Sequence, residues 1–457
     1  MQRNTLPVLF SEASNPTNGA ALRSLNIEHL PIGLLKPHPG NARTHNKRQI
    51  RQLCESVKAF GWTNPVLIDR DNVIIAGHGR VEAAKLLKLP TVPTIRLEHL
   101  TPDQIRAYML ADNKLAMNAG WDGEILKIEL QHLTSISLDF GITTTGFEVP
   151  EIDQLILGTE KPAAPESVEL DNTGPAVTVP GDLWLLGPHR VICGDSLQDE
   201  TYRRLTKQEL AAAIITDSPY NVKIHGHASG LGRAQHREFA FASGEMSEAE
   251  FTAFLTKIFS LLVAYSRAGS LHYHFIDWRH LFEMLTAARG VYSEFKNMAV
   301  WVKDTPGMGS LYRSQHELIL IFKNGAAPHL NNVQLGKFGR NRTNVWNYPG
   351  VNAFARQTEE GRLGLVHPCV KPVAMIADAL LDCTARGEIV LDAFLGSGTT
   401  LMAAERTGRA CRGIELDPLY VDVAIRRWQR QTGEAAVHAD SDRTFDEIAQ
   451  DKEADHG

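Results

Sequence analysis

The sequence predicts two folded parts: an α/β domain with a doubly wound, mostly parallel sheet, and ahead of it a smaller, compact α/β pattern. Three observations carry this. From Val177 onward strand-like and helix-like stretches alternate, the pattern of parallel strands joined by helical crossovers. One of those strands, ending near Asp392, runs into Gly396-Ser397-Gly398 and then a helix, a junction where open α/β sheets admit ligands. A Pro-rich linker, PAAPESVELDNTGP at 162–175, separates this region from a compact pattern between about Ile27 and Trp121.

The elements follow in order. Residues 1–25 read as a loose arm. Ile50, Leu53, Cys54, Val57 and Phe60 recur at helical spacing, and Gly61 stops that helix. VLIDRDNVIIAGHGR reads as two short strands about a turn at Asp71-Asn72, ending in a Gly-rich loop and a helix over Val81–Leu87. Thr101, Pro102 and Gln104 form a helix start with a first-turn proline and a capping box. Residues 121–175 read as a helical segment and linker in which no helix-turn-helix is legible. Ala212–Thr216 is a strand opening into Asp217-Ser218-Pro219-Tyr220. Ser247 and Glu250 cap a helix carrying Phe251, Leu255, Ile258 and Leu262. Leu271–Ile276, Met298–Val302, Leu318–Phe322, Glu388–Phe394 and Cys411–Leu416 read as strands, and Ile376–Leu381 as a helix.

Composition narrows the class of function. The 457 residues are 43% apolar and 22% charged, enough for sizeable cores and too apolar for disorder as a whole. No apolar run approaches the ~20 residues of a membrane span. The opening MQRNTLPVLFSEASN lacks a secretory pattern. Five cysteines (54, 193, 369, 383, 411) without a CxxC pair argue against a disulfide framework or a zinc site and for a cytoplasmic setting. The net charge of −6 excludes a globally basic coat. Charge is uneven: 438–457 carries a net −5 and reads as a solvated, partly disordered tail, whereas 296–346 carries a net +5.

Three motifs carry chemistry. The turn after Asp392 lacks the third glycine of a dinucleotide fingerprint, where Leu401 stands, and has no Gly-Lys-Ser/Thr of a phosphate loop. Glu415 ends the next strand, where an acid can accept from both hydroxyls of a ribose, with Asp417 the rival for the helix cap. In Asp217-Ser218-Pro219-Tyr220 an acid and an outward carbonyl can accept both hydrogens of an exocyclic amine, and the tyrosine can stack on the ring that bears it.

These segments resemble a known family. Asp217-Ser218-Pro219-Tyr220 is similar to motif IV, (Asp/Asn/Ser)-Pro-Pro-Tyr, of amino-directed DNA methyltransferases, with Ser218 in place of the first proline. Phe394-Leu395-Gly396-Ser397-Gly398 resembles motif I, Gly413-Ile414-Glu415 motif II, and His189 to Asp195 the opening strand with its motif III acid. His367-Pro368-Cys369-Val370-Lys371-Pro372 resembles motif X. Motif IV before motif I is the order of the circularly permuted β class. The resemblance implies a methyltransferase fold over about 176–437 and S-adenosyl-L-methionine as cofactor, held by Asp195, His367, Lys371, Asp392, Phe394, Gly396, Gly398, Thr399 and Glu415. It implies double-stranded DNA as substrate, base flipping, and catalysis by Asp217, Ser218, Pro219 and Tyr220. The Asp at 217 favours N6 of adenine over N4 of cytosine. No metal is required.

Sequence recognition is expected at about 296–350, where Arg313, Lys337, Arg340 and Arg342 suit phosphates or guanine edges and Asn341 and Asn344 could read adenine. KIHGHASGLGRAQHR at 223–237 reads as a loop able to close over DNA. His272 and His274 share one strand face without a third metal ligand nearby.

Ile74 to Ala84, with Gly77, Gly79 and Arg80, resembles the Gly-x-x-Arg-x-x-Ala box of the ParB/sulfiredoxin family, and Leu110 to Leu115 that family's later Asn-containing segment. The resemblance implies an α+β domain over about 26–120, with a phosphate or nucleotide held at Gly77, Gly79 and Arg80. The expected protein is therefore a restriction–modification-type adenine DNA methyltransferase with an accessory ParB-like module. A second copy of the chain and a nucleotide are further partners the reading allows. The rivals are an N4-cytosine enzyme, and a ParB-like DNA- or nucleotide-binding module with an impaired methyltransferase domain.

Overall fold

The computed structural model describes residues 25–136, 138–157, 176–221, 246–304, 306, 311–333, 342–349 and 371–456. The arm, the Pro-rich linker, the 223–237 loop, His367, Lys337, Arg340 and Asn341 lie outside them. The chain divides into two compact units. The first holds the described residues up to Asp122 and those between 138 and 147; the second holds the rest.

In the first unit β1 (Ile27–Pro31), α1 (Lys47–Phe60), β2 (Val66–Ile68), β3 (Ile74–Ala76), α2 (His78–Leu86), β4 (Thr91–Arg96) and α3 (Pro102–Asn118) build a four-stranded sheet of order β1-β4-β2-β3. The expected turn between β2 and β3 is there: Asp69 Oδ1 accepts from the amides of Asp71 and Val73, and Asn72 takes the left-handed conformation at φ 63°. Asn46 and Gly61 bound α1, and the Thr101–Gln104 box opens α3.

The second unit begins with α4 (Gly123–Ser135) and α5 (Val149–Leu157). Then follow β5 (Leu183–Leu186), β6 (His189–Cys193), α6 (Asp199–Thr206), β7 (Ala211–Thr216), α7 (Glu248–Ala264), β8 (Ser266–Ile276), α8 (Leu281–Arg289), β9 (Glu294–Val302), β10 (His316–Lys323) and β11 (Val345–Asn347). The chain closes with α9 (Val373–Cys383), β12 (Ile389–Asp392), α10 (Thr399–Thr407), β13 (Ala410–Glu415), α11 (Pro418–Thr432), β14 (Val437–His438) and α12 (Phe445–His456).

One ten-stranded sheet runs β11-β9-β10-β8-β7-β12-β13-β6-β5-β14. Its middle, β8-β7-β12-β13-β6, is parallel; β10, β9, β5 and β14 join through antiparallel pairs, so the sheet is mixed. Alternate residues of the parallel strands face opposite cores, as a two-residue period requires. Ala213, Ile215, Val390 and Cys411 pack under α9 to α12, whereas Ile214, Leu391 and Ile414 pack under α6 to α8.

The acidic tail is a correction. It is a docked helix, not a solvated segment. Phe445 is buried against Trp184, Thr444 and Glu447 exchange capping-box bonds, and Lys452 Nζ donates to the carbonyls of Ala176 and Val177. Among the described residues no helix is long and apolar enough to cross a membrane, and no three His, Cys, Asp or Glu side chains are placed to hold a metal.

His272 and His274 on β8 are fully buried around the Tyr292 hydroxyl, with Ser266 and Ser270 on the other nitrogen of His272. Burial pushes His274 down to about 3 and His272 well below its ordinary value. The unfolded chain therefore binds protons that the native state refuses. Stability is expected to fall as pH drops below ~6.5, by about 2 kcal/mol per histidine at pH 5. Chemical denaturation of the protein and of a His274→Asn variant checks this; equal dependence on pH between 7.5 and 5 in the two would contradict it.

Candidate active site

Every strand of the parallel core ends in a carboxylate. Asp195 follows β6, Asp217 follows β7, Asp277 follows β8, Asp392 ends β12 and Glu415 ends β13. Parallel strands put these ends on one edge of the sheet, and β7 and β12, distant in sequence, are neighbours there.

β7 is buried along its whole length and delivers Asp217 into a network of charges. Asp217 Oδ2 lies 2.6 Å from Lys371 Nζ, and Oδ1 accepts from the Tyr220 hydroxyl at 2.5 Å. Lys371 is also 3.2 Å from Glu317 Oε2, to which the Tyr220 hydroxyl reaches at 3.3 Å. Lys303 holds the other oxygen of Glu317 at 2.5 Å. Lys371 is only 6% exposed and sits over the rings of Phe275 and Tyr220. Burial raises Asp217, against the pull of Lys371, and Glu317 raises it further. Burial also pushes Glu317 up, but Lys371 and Lys303 together outweigh it and hold that acid at about 2. Ser218 is 1% exposed, and its hydroxyl has no hydrogen-bond partner among the described residues.

Sequence reasoning placed Lys371 with the cofactor; the fold places its ammonium on Asp217. It missed Glu317 and Lys303. The one available signal was a charged residue at the mouth of the apolar strand HELILIFK.

The glycine turn is built from within. Asp392 Oδ1 accepts from the Phe394 amide and Oδ2 from the Thr400 hydroxyl, so this buried acid, pushed up to about 6 by burial, shapes the loop. Gly398 adopts φ 88° and a Cβ there would lie 2.9 Å from Ala424 Cβ, which explains the glycine. Gly396 has φ 54° and a Cβ there would meet nothing within 4 Å, so the loop backbone borders open space. Thr399 begins α10 and Phe394 leans on Phe254. Glu415 accepts from the Gly396 amide at 2.8 Å and the Asp417 amide at 2.9 Å, and burial raises it to about 7. Asp417, not Glu415, takes the cap of α11. Asp195, just past the end of the neighbouring strand β6, accepts from the Leu197 amide and the Gln198 side chain.

Other expected contacts stand differently. Arg342 is ion-paired with Asp378 at 2.8 Å and Asp382 at 3.0 Å, bonded to the Tyr348 hydroxyl and laid over Trp346. Its donors fasten β11 to α9, which corrects the expectation of a phosphate contact. Asn344 spends its amide on the Met298 carbonyl. Arg313 is exposed and donates to the Pro306 carbonyl. In the first unit Gly77 has φ 103°, and a Cβ on Gly79 would press on His45 and Leu53 at 3.0 Å. Arg80 points its guanidinium at the carbonyls of Asn64 and Pro65, pinning the loop from inside.

A glycine cradle and an acid–proline–aromatic turn at one sheet edge define an open α/β protein of the nucleoside-ligand class. Comparison with known proteins sharpens that class. Residues 211–426 match the DNA methylase family of N6 and N4 enzymes, residues 17–113 the ParB N-terminal domain, and residues 124–180 the ParB-methyltransferase HTH domain. The ParB-like nuclease domain-containing protein YnaK of Escherichia coli is 56% identical over 80 residues, 18% of this chain and 92% of YnaK. The DNA adenine methyltransferase YhdJ of E. coli is 34% identical over 114 residues, 25% of this chain and 34% of YhdJ, so the match spans about a third of that relative. A putative DNA modification methylase of Thermus thermophilus, TTHA0409, solved with S-adenosyl-L-methionine, is 19% identical, with a TM-score of 0.38 over 54% of this chain and 96% of that one. The chain belongs to the ParB-like proteins through its first unit, and its second unit carries a DNA methylase domain of the N6/N4 type over residues 211–426. The match at 124–180 also corrects the sequence reading, which saw no helix-turn-helix there; α4 and α5 are the helices of that segment.

Proposed function

We propose that the protein transfers a methyl group from S-adenosyl-L-methionine to the N6 amino group of adenine in duplex DNA, at a specific site and on a flipped-out base. The observation that carries this is the pairing, along one sheet edge, of the Asp217–Tyr220 turn with the Gly396–Glu415 cradle. The cradle fits the cofactor: open space borders the Gly396 backbone, and each oxygen of Glu415 keeps a lone pair for a ribose hydroxyl beyond the amide it already accepts. Asp195 lies just past the end of the adjoining strand β6 and Phe394 offers a ring face. When bound, S-adenosyl-L-methionine supplies an electrophilic methyl group.

The chain's own residues prepare the amine. An adenine amine is a poor nucleophile because its lone pair is delocalised into the ring. The Asp217 carboxylate and the Ser218 carbonyl accept its two hydrogens and favour a tetrahedral nitrogen. As the nitrogen takes on carbon it sheds one proton, and Asp217 is the base in that turn. Tyr220, anchored through its hydroxyl to Asp217 and Glu317, presents a fixed ring to the flipped base.

DNA recognition is assigned to 296–350 without Arg342, and the ParB-like unit, over about 26–120, to an accessory role in targeting, with the Gly77–Arg80 loop as its nucleotide or phosphate site. Mass spectrometry of nucleosides from duplex DNA treated with enzyme and cofactor is expected to show N6-methyladenine. N4-methylcytosine alone would transfer the assignment to the cytosine branch.

A further inference from the structure

The charges around Asp217 hold more than the transfer step uses. Two carboxylates and two ammonium groups are linked in the order Asp217, Lys371, Glu317, Lys303, at 2.6, 3.2 and 2.5 Å. They come from four places in the chain: the turn after β7, the residue before Pro372, the start of β10 and the residue after β9. Lys371 is therefore shared. Were Asp217 its only anion, the whole charge of Lys371 would bear on it, and a carboxylate so neutralised is a poorer acceptor for a neutral amine.

We propose that Glu317 is a positioning residue for the transfer step: it shares the charge of Lys371, which stays against Asp217 Oδ2, and so leaves the Asp217 carboxylate a stronger acceptor for the substrate amine. This rests on the methyltransferase reading given above. The groups that face Asp217 are Lys371, the Tyr220 hydroxyl, Glu317 and, through space, Asp392 of β12. Lys303 acts from behind Glu317. The arrangement has a sign. Removing the charge of Glu317 hands Lys371 to Asp217 and makes Asp217 less basic. Removing Lys303 leaves Glu317 freer to hold Lys371, and makes Asp217 more basic.

The test uses the full chain, native and as Glu317→Gln, Lys303→Met and Glu317→Asp, with the carboxyl carbon of Asp217 followed by NMR after assignment with an Asp217→Asn sample. In Glu317→Gln the Asp217 titration is expected to move down by about one pH unit. The acid limb of kcat should follow it, kcat should fall about tenfold or more, and KM for the cofactor should stay within about twofold. Lys303→Met is expected to move the titration up, and Glu317→Asp, which keeps the charge, to return it close to the native position. An unmoved titration in Glu317→Gln, or a shift of the same sign in Glu317→Gln and Lys303→Met, overturns the proposal. Opposite shifts in the two variants, with a native protein that methylates no DNA, would sustain the charge sharing among Glu317, Lys371 and Asp217 and remove the methyltransferase reading instead.

Discussion

Replacing Asp217 with Ala is expected to lower methyl transfer by roughly a thousandfold or more while leaving S-adenosyl-L-methionine binding within about twofold. The loss is large because the variant removes both the acceptor that shapes the amine and the base that takes its proton. Binding survives because the cradle at Gly396 and Glu415 is held by its own bonds, none of which involves Asp217. The fold survives as well, since Lys371 keeps Glu317 as its counter-ion. Glu415→Ala should do the reverse. It strips the Gly396 amide of its acceptor and takes away the site for the ribose hydroxyls, so affinity falls by about 10- to 100-fold, as loss of a charged hydrogen-bond partner does. Calorimetry of the two variants with the cofactor, beside a transfer assay, separates the roles. Lost binding in Asp217→Ala with intact binding in Glu415→Ala would reverse them.

Asp153→Ala is expected to destabilise the second unit by about 3–5 kcal/mol, the cost of leaving a buried charge without its partner. Asp153 on α5 receives both terminal nitrogens of Arg409, at 3.0 and 2.8 Å, and Arg386 approaches it at 3.3 Å. The Arg409 side chain is fully buried and Asp153 is 3% exposed. Arg409 also donates to the Thr384 hydroxyl and to the carbonyls of Thr384 and Thr407, so it cannot swing out to water without breaking all of these. Denaturant unfolding monitored by tryptophan fluorescence measures the effect, and a loss under about 1 kcal/mol would contradict the placement. The same bond changes how the chain can be divided. A cut in the 162–175 linker looks clean in the sequence, yet it removes Asp153 from the catalytic unit and leaves Arg409 buried without it. A fragment 170–457 that fails to methylate DNA would therefore report instability first. The accessory role of the ParB-like unit is better tested by substitutions within that unit.

The contrast between what could and could not be read from the sequence follows the range of the interactions. Strand, turn and helix lie within a dozen residues, so the Asp217 turn, the Gly396–Gly398 turn, Glu415 and the capping boxes at Thr101 and Ser247 were all legible. The box at Thr444 and Glu447 was equally local, but the acidity around it masked the signal. Ion pairs are another matter. Lys371 and Asp217 are 154 residues apart, and Arg409 and Asp153 are 256 apart. No periodicity encodes such partners. Arg342 shows the opposite error: a basic stretch suggested contact with phosphate, whereas two acids of α9, Asp378 and Asp382, had claimed the guanidinium.

The strand order has a consequence for synthesis. β7 is among the first strands of the large sheet to leave the ribosome, but its neighbour β12 follows only after a long stretch, since Ala213 pairs with Val390. At roughly 5–20 residues per second, one edge of β7 waits on the order of 10–35 s for its partner. Ala-Ala-Ala-Ile-Ile-Thr is apolar along both faces, so a nascent chain of this length offers an open, adhesive edge throughout that interval. The first unit has no such delay, its four strands all emerging before Leu97. Translation thus yields a folded N-terminal unit tethered to a sheet that stays unfinished until Ile389–Asp392 emerges.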